Sequence, residues 1–308
     1  MMTEQVMKIH AIVVTYNPEL DVLSREFEFI SPQVDKIWLV DNASSSSLAI
    51  WVGHLGLHDK LELVQMSANL GLGVAQNTGI QLARSAGATH VLILDQDSQP
   101  MPDMVDRLWA AADQLQSAGV PVAAVAPVYA DSVTGPASGF VRLGWLNFKK
   151  QRVLPSQDVV EADFVISSGS LIPMSVLDDI GPMDETLFID HVDTEWCLRA
   201  QSKGYKLFGV PGACMVHTLG DRRTRIWFFR WRNVPYHSPF RYYYILRNSL
   251  LMQRRPYMPL KWRVAELLRC CRVVCFYGLF APQRVACLRM MFRGIADGLR
   301  GVSGPMKP

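Results

Sequence analysis

The stretch HVLILDQDS, residues 90–98, decides the fold. After His90 it runs through four apolar residues without polar alternation, which is typical of a strand buried on both faces of a sheet. It then ends on Asp95 and Asp97. In open α/β sheets, ligands bind beyond the carboxyl ends of the strands. The stretch therefore predicts a parallel sheet with a polar binding edge.

Three earlier segments repeat the pattern, namely HAIVVTY (10–16), KIWLVD (36–41) and LELVQM (61–66). Their ends are also polar: Thr15-Tyr16-Asn17, Asp41-Asn42 and, a little further on, Asn69. Helical segments separate these strands, so we expect an α/β fold with a mixed, mostly parallel sheet flanked by helices. The looser pattern from 123 to 165 predicts short strands and loops that form the far side of a cleft.

Charge is distributed unevenly along the 308 residues, although the net charge is only +3. Residues 1–221 hold 13 Lys and Arg against 26 Asp and Glu, whereas residues 222–308 hold 18 against 2. We therefore predict two parts, an acidic α/β domain over 1–221 and a basic, mostly helical segment over 222–308. Such a segment favours an anionic partner, either a membrane surface or a nucleic acid.

Two features of the basic segment bear on that partner. Arginines alternate with aromatic residues in RRTRIWFFRWR (222–232), a pattern that suits single-stranded nucleic acid or a membrane interface. The apolar run 258–281 is interrupted by Arg263, Glu266, Arg269 and Arg272, so it predicts an interfacial amphipathic helix and not a transmembrane span. The six cysteines form no C-x-x-C pair, and the N-terminus has a strand pattern and not that of a signal peptide.

Two short motifs carry chemistry. Asp95-Gln96-Asp97 places two carboxylates at a strand end, where they suit a divalent cation or, alternatively, cap a turn. NLGLGVAQNTG (69–79) is not a dinucleotide fingerprint, because Gln76 stands where its third glycine belongs. Its glycines still permit a close approach of the backbone to a ligand at the start of a helix.

FIDHVDTEW (188–196) begins a predicted helix that ends at Gly204. Asp190 is a suitable N-cap residue, and Asp193 then lies in the first turn, where a carboxylate suits the helix dipole. Capping alone explains both residues.

The ordered set of motifs resembles a family. TYN, VDNAS, NLGLGVAQNTG and LDQDS resemble the inverting family 2 glycosyltransferases of GT-A fold. IGPMDETLFIDHVDTEWCLRAQSKGYKLFGVPGACMVHTLG (180–220) and RYYYILRN (241–248) resemble the bacterial rhamnosyltransferase branch of that family. The resemblance covers about residues 8–255.

The resemblance implies the roles of individual residues. Asp97 would hold Mg²⁺ or Mn²⁺ beside the diphosphate, with His217 as a second metal ligand, and Asp41 would bind the pyrimidine ring. The implied nucleotide-sugar site consists of Thr15, Tyr16, Asn17, Asp41, Asn69, Gly71, Asn77, Asp95, Gln96 and Trp196.

Asp193 would be the catalytic base that deprotonates the acceptor hydroxyl. Family members usually carry Glu-Asp where this chain has Val192-Asp193, so the glutamate is missing here. An inactive, degenerate transferase is therefore an alternative.

The resemblance implies transfer of L-rhamnose from dTDP-β-L-rhamnose, with inversion, to a hydroxyl of a glycan or lipid-linked acceptor in bacterial cell-surface polysaccharide synthesis. We expect the enzyme in the cytoplasm, at the anionic inner face of the inner membrane. The alternatives are another donor, such as a UDP-hexose, and a nucleic-acid-binding protein that uses the basic tail. The strand-end carboxylates argue against nucleic acid, because they would repel phosphate in the absence of a metal.

Overall fold

The computed structural model describes residues 7–130, 139–151, 153, 157–217, 222–227 and 231–307, and at residues 217, 222–227 and 231–235 it describes the backbone alone. The first half alternates strands and helices: β1 (Ile9–Thr15), α1 (Leu20–Ile30), β2 (Lys36–Asp41), α2 (Ala49–His54), β3 (Leu61–Gln65), α3 (Leu72–Ser85), β4 (His90–Asp95), β5 (Ser98–Pro100) and α4 (Met104–Ser117). The middle comprises β6 (Val122–Ala130), β7 (Phe140–Leu143), β8 (Phe148–Gln151), β9 (Val160–Ala162), β10 (Ser170–Pro173), α5 (Met174–Ile180), α6 (Val192–Ser202) and β11 (Lys206–His217). The C-terminal part comprises β12 (Arg222–Trp227), β13 (Trp231–Tyr236), α7 (Pro239–Gln253), α8 (Leu260–Phe280) and α9 (Arg284–Arg300).

The main sheet has the strand order β3-β2-β1-β4-β10-β6-β11-β5, and β9 pairs with β11. The strands β1 to β4 are parallel, whereas β10 runs antiparallel to both of its neighbours. The predicted mixed, mostly parallel sheet is therefore confirmed. Because β2 and β4 lie on opposite sides of β1, the chain leaves β1 at a switch point, where such sheets open a crevice for ligands.

Both faces of the sheet are covered, which explains why its central strands read as unbroken apolar runs. Along β1, Ile12 and Val14 belong to the core on one face, while Ala11 and Val13 belong to the core on the other. All seven residues of β1 are buried.

The C-terminal part begins differently from the prediction. The strands β12 and β13 pair antiparallel, and the helices start only at Pro239. Arginine-rich segments with aromatic and β-branched residues can thus form strands as well as helices. The boundary at 221 remains a prediction.

Three helices complete the chain, and α7 packs closely along α9. A Cβ atom added to Gly298 would lie 2.9 Å from the carbonyl oxygen of Arg247, and Gly294, four residues earlier, faces the backbone of Tyr243 in the same way. Two glycines at this spacing let the helix backbones approach each other. No helix in the described part of the chain is both long and apolar enough to span a membrane.

Candidate active site

The loops after β1, β2 and β4 are joined by hydrogen bonds at the carboxyl edge of the sheet. The amide of Tyr16 donates to Oε1 of Gln96 at 2.7 Å, which links the loops after β1 and β4. The amide of Asn17 donates to Oγ of Ser44 at 2.7 Å, which links β1 to the loop after β2. The structure thus brings together the strand ends that the sequence predicted to meet.

Asp41 is held rigidly at this edge. Its side chain is 1% exposed and accepts hydrogen bonds from Oγ1 of Thr15 at 3.0 Å and from the amide of Ser44 at 3.1 Å. A fixed acceptor of this kind suits a ring N–H donor of a nucleotide base. Ser44 was not predicted as part of the site, and only its place in the serine run directly after β2 could have indicated it.

The glycine loop packs against the protein and not against an open crevice. Oδ1 of Asn69 accepts from Nδ2 of Asn42 at 3.0 Å and from the amide of Gly71 at 3.1 Å. A Cβ atom on Gly71 would lie 2.6 Å from the carbonyl oxygen of Phe188, and φ at Gly71 is +96°. The close approach that we predicted for a ligand is made by the segment around Phe188.

Asn77 has a structural role. It is 6% exposed, and its amide group donates to the carbonyl of Met183 at 3.0 Å and to Oε1 of Glu185 at 2.8 Å. Its oxygen accepts from the amide of Met183 at 2.8 Å. These three bonds engage the whole carboxamide, so the predicted contact with base or ribose is replaced by an anchor for the chain before α6.

The two carboxylates of Asp95-Gln96-Asp97 lie partly exposed between β4 and β5. Oγ of Ser168 accepts from the amide of Asp95 at 3.1 Å and is 2.6 Å from Oγ of Ser98. Ser168 is fully buried, so it fastens this turn to the chain before β10.

His217 lies close to this turn along the backbone. In the antiparallel pair of β11 and β5, His217 is in register with Ser98, the residue after Asp97. Its side chain lies outside the described residues. Among the side chains that are described, no group of three or more His, Cys, Asp and Glu could hold a metal ion.

Glu26 of α1 reports the negative potential of the two aspartates. It is fully buried. Burial raises its pKa well above the usual 4.5, and the charges of Asp97 and Asp95 raise it further. Two partly exposed carboxylates at the end of a strand suit a divalent cation, which also takes diphosphate oxygens as ligands.

Asp193 lies in the first turn of α6 and is partly buried. Its Oδ1 accepts from the amide of Thr194 at 2.7 Å. Burial raises the pKa of Asp193, and the hydrogen bond from Thr194 opposes part of that shift. A carboxylate with a raised pKa is a better proton acceptor near neutral pH than an ordinary surface aspartate.

Tyr129 connects the two acidic groups. Its pKa is raised first by burial and then by the charges of Asp193 and Asp95, so both carboxylates act on one phenol. Its hydroxyl donates to the carbonyl of Ser168 at 3.2 Å. Asp193 also lines a small cavity with Ser167 and Ser170, which flank the Ser168 that binds the amide of Asp95, so it lies beside the same edge of the sheet.

The other two carboxylates of FIDHVDTEW are occupied elsewhere. The prediction that Asp190 caps α6 is wrong: the N-cap residue is His191, and Asp190 accepts from Nη2 of Arg241 at 2.7 Å. Glu195, 1% exposed, is paired with Arg199 through two contacts of 3.0 Å. This leaves Asp193 as the acidic residue of the stretch that faces the sheet edge.

Trp196 belongs to the core. It is 2% exposed, and its ring nitrogen donates to the carbonyl of Gly181 at 3.1 Å. Its place is therefore packing, and not the sugar contact that the resemblance implied. Val192, where family members usually carry glutamate, is 1% exposed in the same core, so an apolar residue suits this position.

Solved structures define the class. The chain is similar in structure to GalNAc-T7 with UDP, GalNAc and Mn²⁺, at a TM-score of 0.59 and 15% identity. The match includes 90% of this chain and 58% of that chain. It is equally similar to S. aureus TarS in complex with UDP-GlcNAc, at a TM-score of 0.59 and 15% identity. This match includes 96% of this chain and 82% of that chain. The fold is that of the GT-A glycosyltransferases.

Sequence comparison defines the family. Residues 11–181, more than half of the chain, match Glycosyl transferase family 2. The chain is also 30% identical over 299 residues to the dTDP-rhamnosyl transferase RfbF of Shigella flexneri, which covers 96% of this chain and 97% of that protein. The chain therefore belongs to glycosyltransferase family 2 and is a glycosyltransferase.

Proposed function

We propose that this glycosyltransferase transfers L-rhamnose from dTDP-β-L-rhamnose to a hydroxyl of a glycan or lipid-linked acceptor, with inversion, in the synthesis of a cell-surface polysaccharide. The observation that carries this proposal is the 30% identity to a dTDP-rhamnosyl transferase over nearly the full length of both chains. The likeness extends to the C-terminal helices, which lie beyond the family match at 11–181.

In the proposed site the nucleotide lies along the carboxyl edge of β1, β2 and β4. Asp41 accepts a hydrogen bond from the pyrimidine ring, because its carboxylate is fixed by Thr15 and Ser44. Tyr16 and Asn17 are exposed at the same edge. Gln96 fastens the loop after β1 there.

Asp193 removes the proton from the acceptor hydroxyl as that oxygen attacks the anomeric carbon from the face opposite the nucleotide. Inversion follows because the reaction is a single displacement. The raised pKa of Asp193 supports this role, since the carboxylate then holds the proton more firmly during attack. The absence of the family glutamate does not remove this group.

Asp97 and His217, with Asp95 nearby, are the residues that would hold Mg²⁺ or Mn²⁺. A divalent cation bound there would neutralise the charge that develops on the diphosphate leaving group. The partial exposure of Asp95 and Asp97 and the register of His217 with Ser98 support this assignment.

A membrane contact of the C-terminal part is also proposed. Three large apolar side chains of the last two helices are well exposed: Leu279 of α8 (67%) and, on α9, Val285 (75%) and Phe292 (59%). The segment 222–308 carries 18 Lys and Arg against 2 Asp and Glu. Apolar side chains among cations suit an anionic lipid surface, and we therefore place the enzyme at the cytoplasmic face of the inner membrane.

The test is a donor screen with dTDP-β-L-rhamnose, UDP-glucose and UDP-GlcNAc, with and without Mn²⁺ or Mg²⁺. Turnover specific to dTDP-β-L-rhamnose supports the proposal, and turnover specific to a UDP-sugar replaces it. Sedimentation with vesicles of phosphatidylglycerol against phosphatidylcholine tests the membrane contact, with random RNA as the competing anionic partner.

A further inference from the structure

The segment that leads into α6 has an unusual backbone. Phe188, Asp190 and His191 have φ values of 66°, 63° and 67°, so three of four successive residues lie in the left-handed region and none is glycine. Such conformations persist only where the surrounding structure holds them, and they cluster at functional sites. Asp193 follows two residues after the last of them.

Asn248 of α7 holds this segment from one side. The side chain is fully buried, and its Nδ2 lies 2.9 Å from the carbonyl of Leu187, 2.8 Å from that of Ile189 and 2.9 Å from that of Asp190. Its Oδ1 accepts from Nη2 of Arg247 at 2.9 Å, which fixes the orientation of the carboxamide. One side chain thus binds three carbonyls of the left-handed stretch.

Two further groups of the C-terminal helices bind the side chains of the segment. Arg241, about two turns before Asn248 on α7, contacts both carboxylate oxygens of Asp190, at 2.7 Å and 3.4 Å. The ring of His191 lies 3.1 Å from Oγ of Ser249 and 3.3 Å from Oε1 of the buried Glu266 on α8.

The opposite side of the segment contacts the nucleotide-binding half. The amide of Leu72, the first residue of α3, donates to the carbonyl of Phe188 at 2.6 Å. The ring of Phe188 stacks on that of Tyr244 of α7 at 4.9 Å between centroids. The segment is therefore fixed between α3 and α7, and its end sets where α6 starts: the carbonyl of His191 accepts the amide of Glu195 at 2.8 Å.

We propose that Asn248 and Arg241 are positioning residues for Asp193: they hold residues 187–191 in the backbone conformation, with positive φ at Phe188, Asp190 and His191, that aims the first turn of α6 at the sheet edge. The C-terminal helices are thereby part of the catalytic apparatus and not only a membrane contact. This inference rests on the proposed role of Asp193 as the base.

The test compares Asn248→Ala with Tyr243→Phe, which removes one hydrogen bond of the same helix, from Tyr243 to Oδ2 of Asp297 at 2.9 Å, but keeps the ring that packs in the cluster with Phe188. The substrate is dTDP-β-L-rhamnose, with n-octyl glycosides or water as acceptor, and release of dTDP is measured. We expect kcat to fall about 10- to 100-fold in Asn248→Ala with the donor KM within about twofold of wild type, because misplacing a reacting group by about 1 Å costs that much. Tyr243→Phe should keep kcat within about threefold.

Hydrogen exchange supplies a readout that needs no turnover. The amide of Glu195 should exchange at least about tenfold faster in Asn248→Ala than in Tyr243→Phe, since it is bonded to the carbonyl that ends the segment. If Asn248→Ala fails to fold, Arg241→Met replaces it, with Arg241→Lys as the conservative variant that retains the charge and most of kcat.

Equal kcat and equal exchange in Asn248→Ala and Tyr243→Phe would overturn the positioning role. Asp193→Asn is measured beside them to separate the two proposals. If Asp193→Asn keeps full kcat, the base assignment has failed; if it loses kcat while Asn248→Ala does not, only the positioning role has failed.

Discussion

Replacing Asn77 by alanine separates a structural role from a ligand contact at a position where sequence and structure disagree. The substitution removes three hydrogen bonds, to the amide and carbonyl of Met183 and to Glu185. Each buried bond contributes about 0.5–1.5 kcal/mol, and a buried group left without a partner costs about 1–3 kcal/mol. Because two main-chain groups of Met183 lose their partner, we expect a loss of about 2–4 kcal/mol in the free energy of unfolding.

The assay is urea denaturation followed by circular dichroism, with isothermal titration of dTDP in the presence of Mn²⁺ on the same samples. Thr78→Val is the matched control, since it removes only the bond from Oγ1 to the carbonyl of Val74 within α3. It should cost less than about 1.5 kcal/mol. We expect the dTDP affinity of Asn77→Ala to stay within about twofold. Unchanged stability with dTDP binding weakened about tenfold or more would show that Asn77 frames the nucleotide after all.

Three further substitutions test the packing around the site. Metal-free wild type should lose stability as the pH rises above 4.5, because the pKa of the Glu26 carboxyl is raised in the folded state and folding favours its protonated form. In thermal melts, Glu26→Gln should lose less stability than wild type between pH 5 and 8. Parallel curves of melting temperature against pH for the two proteins would contradict this. Gly71→Ala should lower the free energy of unfolding, measured by urea denaturation, by more than about 1 kcal/mol, since φ at Gly71 is +96° and Phe188 fills the space where the new Cβ would lie. Gly56→Ala is the control: its φ is also positive, but no atom lies near the new Cβ, so it measures backbone strain without a collision. Arg199→Met should lower the free energy of unfolding by about 3–5 kcal/mol in the same urea assay, because it leaves the carboxylate of Glu195 buried without its cation. A loss below about 1 kcal/mol would show that the hydrogen bond from Tyr257 alone stabilises that carboxylate.

The sheet was predictable from the sequence because unbroken apolar runs have one explanation in an α/β chain. The four predicted strands agree with β1 to β4 within one or two residues at each end. The meeting of Tyr16, Asp41 and Gln96 followed from the same pattern, since parallel strands end at one edge. Physical periodicity sufficed there.

The roles of Gly71 and Asn77 were not predictable from local sequence. Both follow a strand end, as a ligand-binding residue does, yet their partners are Phe188 and Met183, the latter 106 positions away along the chain. The prediction that Asp190 caps α6 was wrong for a similar reason: its partner, Arg241, lies on α7, and no local sequence signal predicts that α7 contacts α6. Only a packed structure reveals which polar groups are already engaged by the chain itself.

The pairing of β12 with β13 was missed for a different reason. The arginines there drew attention to an anionic partner and away from the strand-forming aromatic and β-branched residues beside them. The spacing of Gly294 and Gly298, by contrast, was a usable signal for the close packing of α9 on α7.

The most direct measurement compares wild type with Asp193→Asn in release of dTDP from dTDP-β-L-rhamnose at saturating donor, with circular dichroism to confirm that both are folded. We expect the variant to lose a factor of about 100 or more in kcat, because general base catalysis contributes about 10²–10⁴. Its donor KM should be nearly unchanged. A folded Asp193→Asn variant with the kcat of wild type would contradict the assignment of Asp193 as the catalytic base.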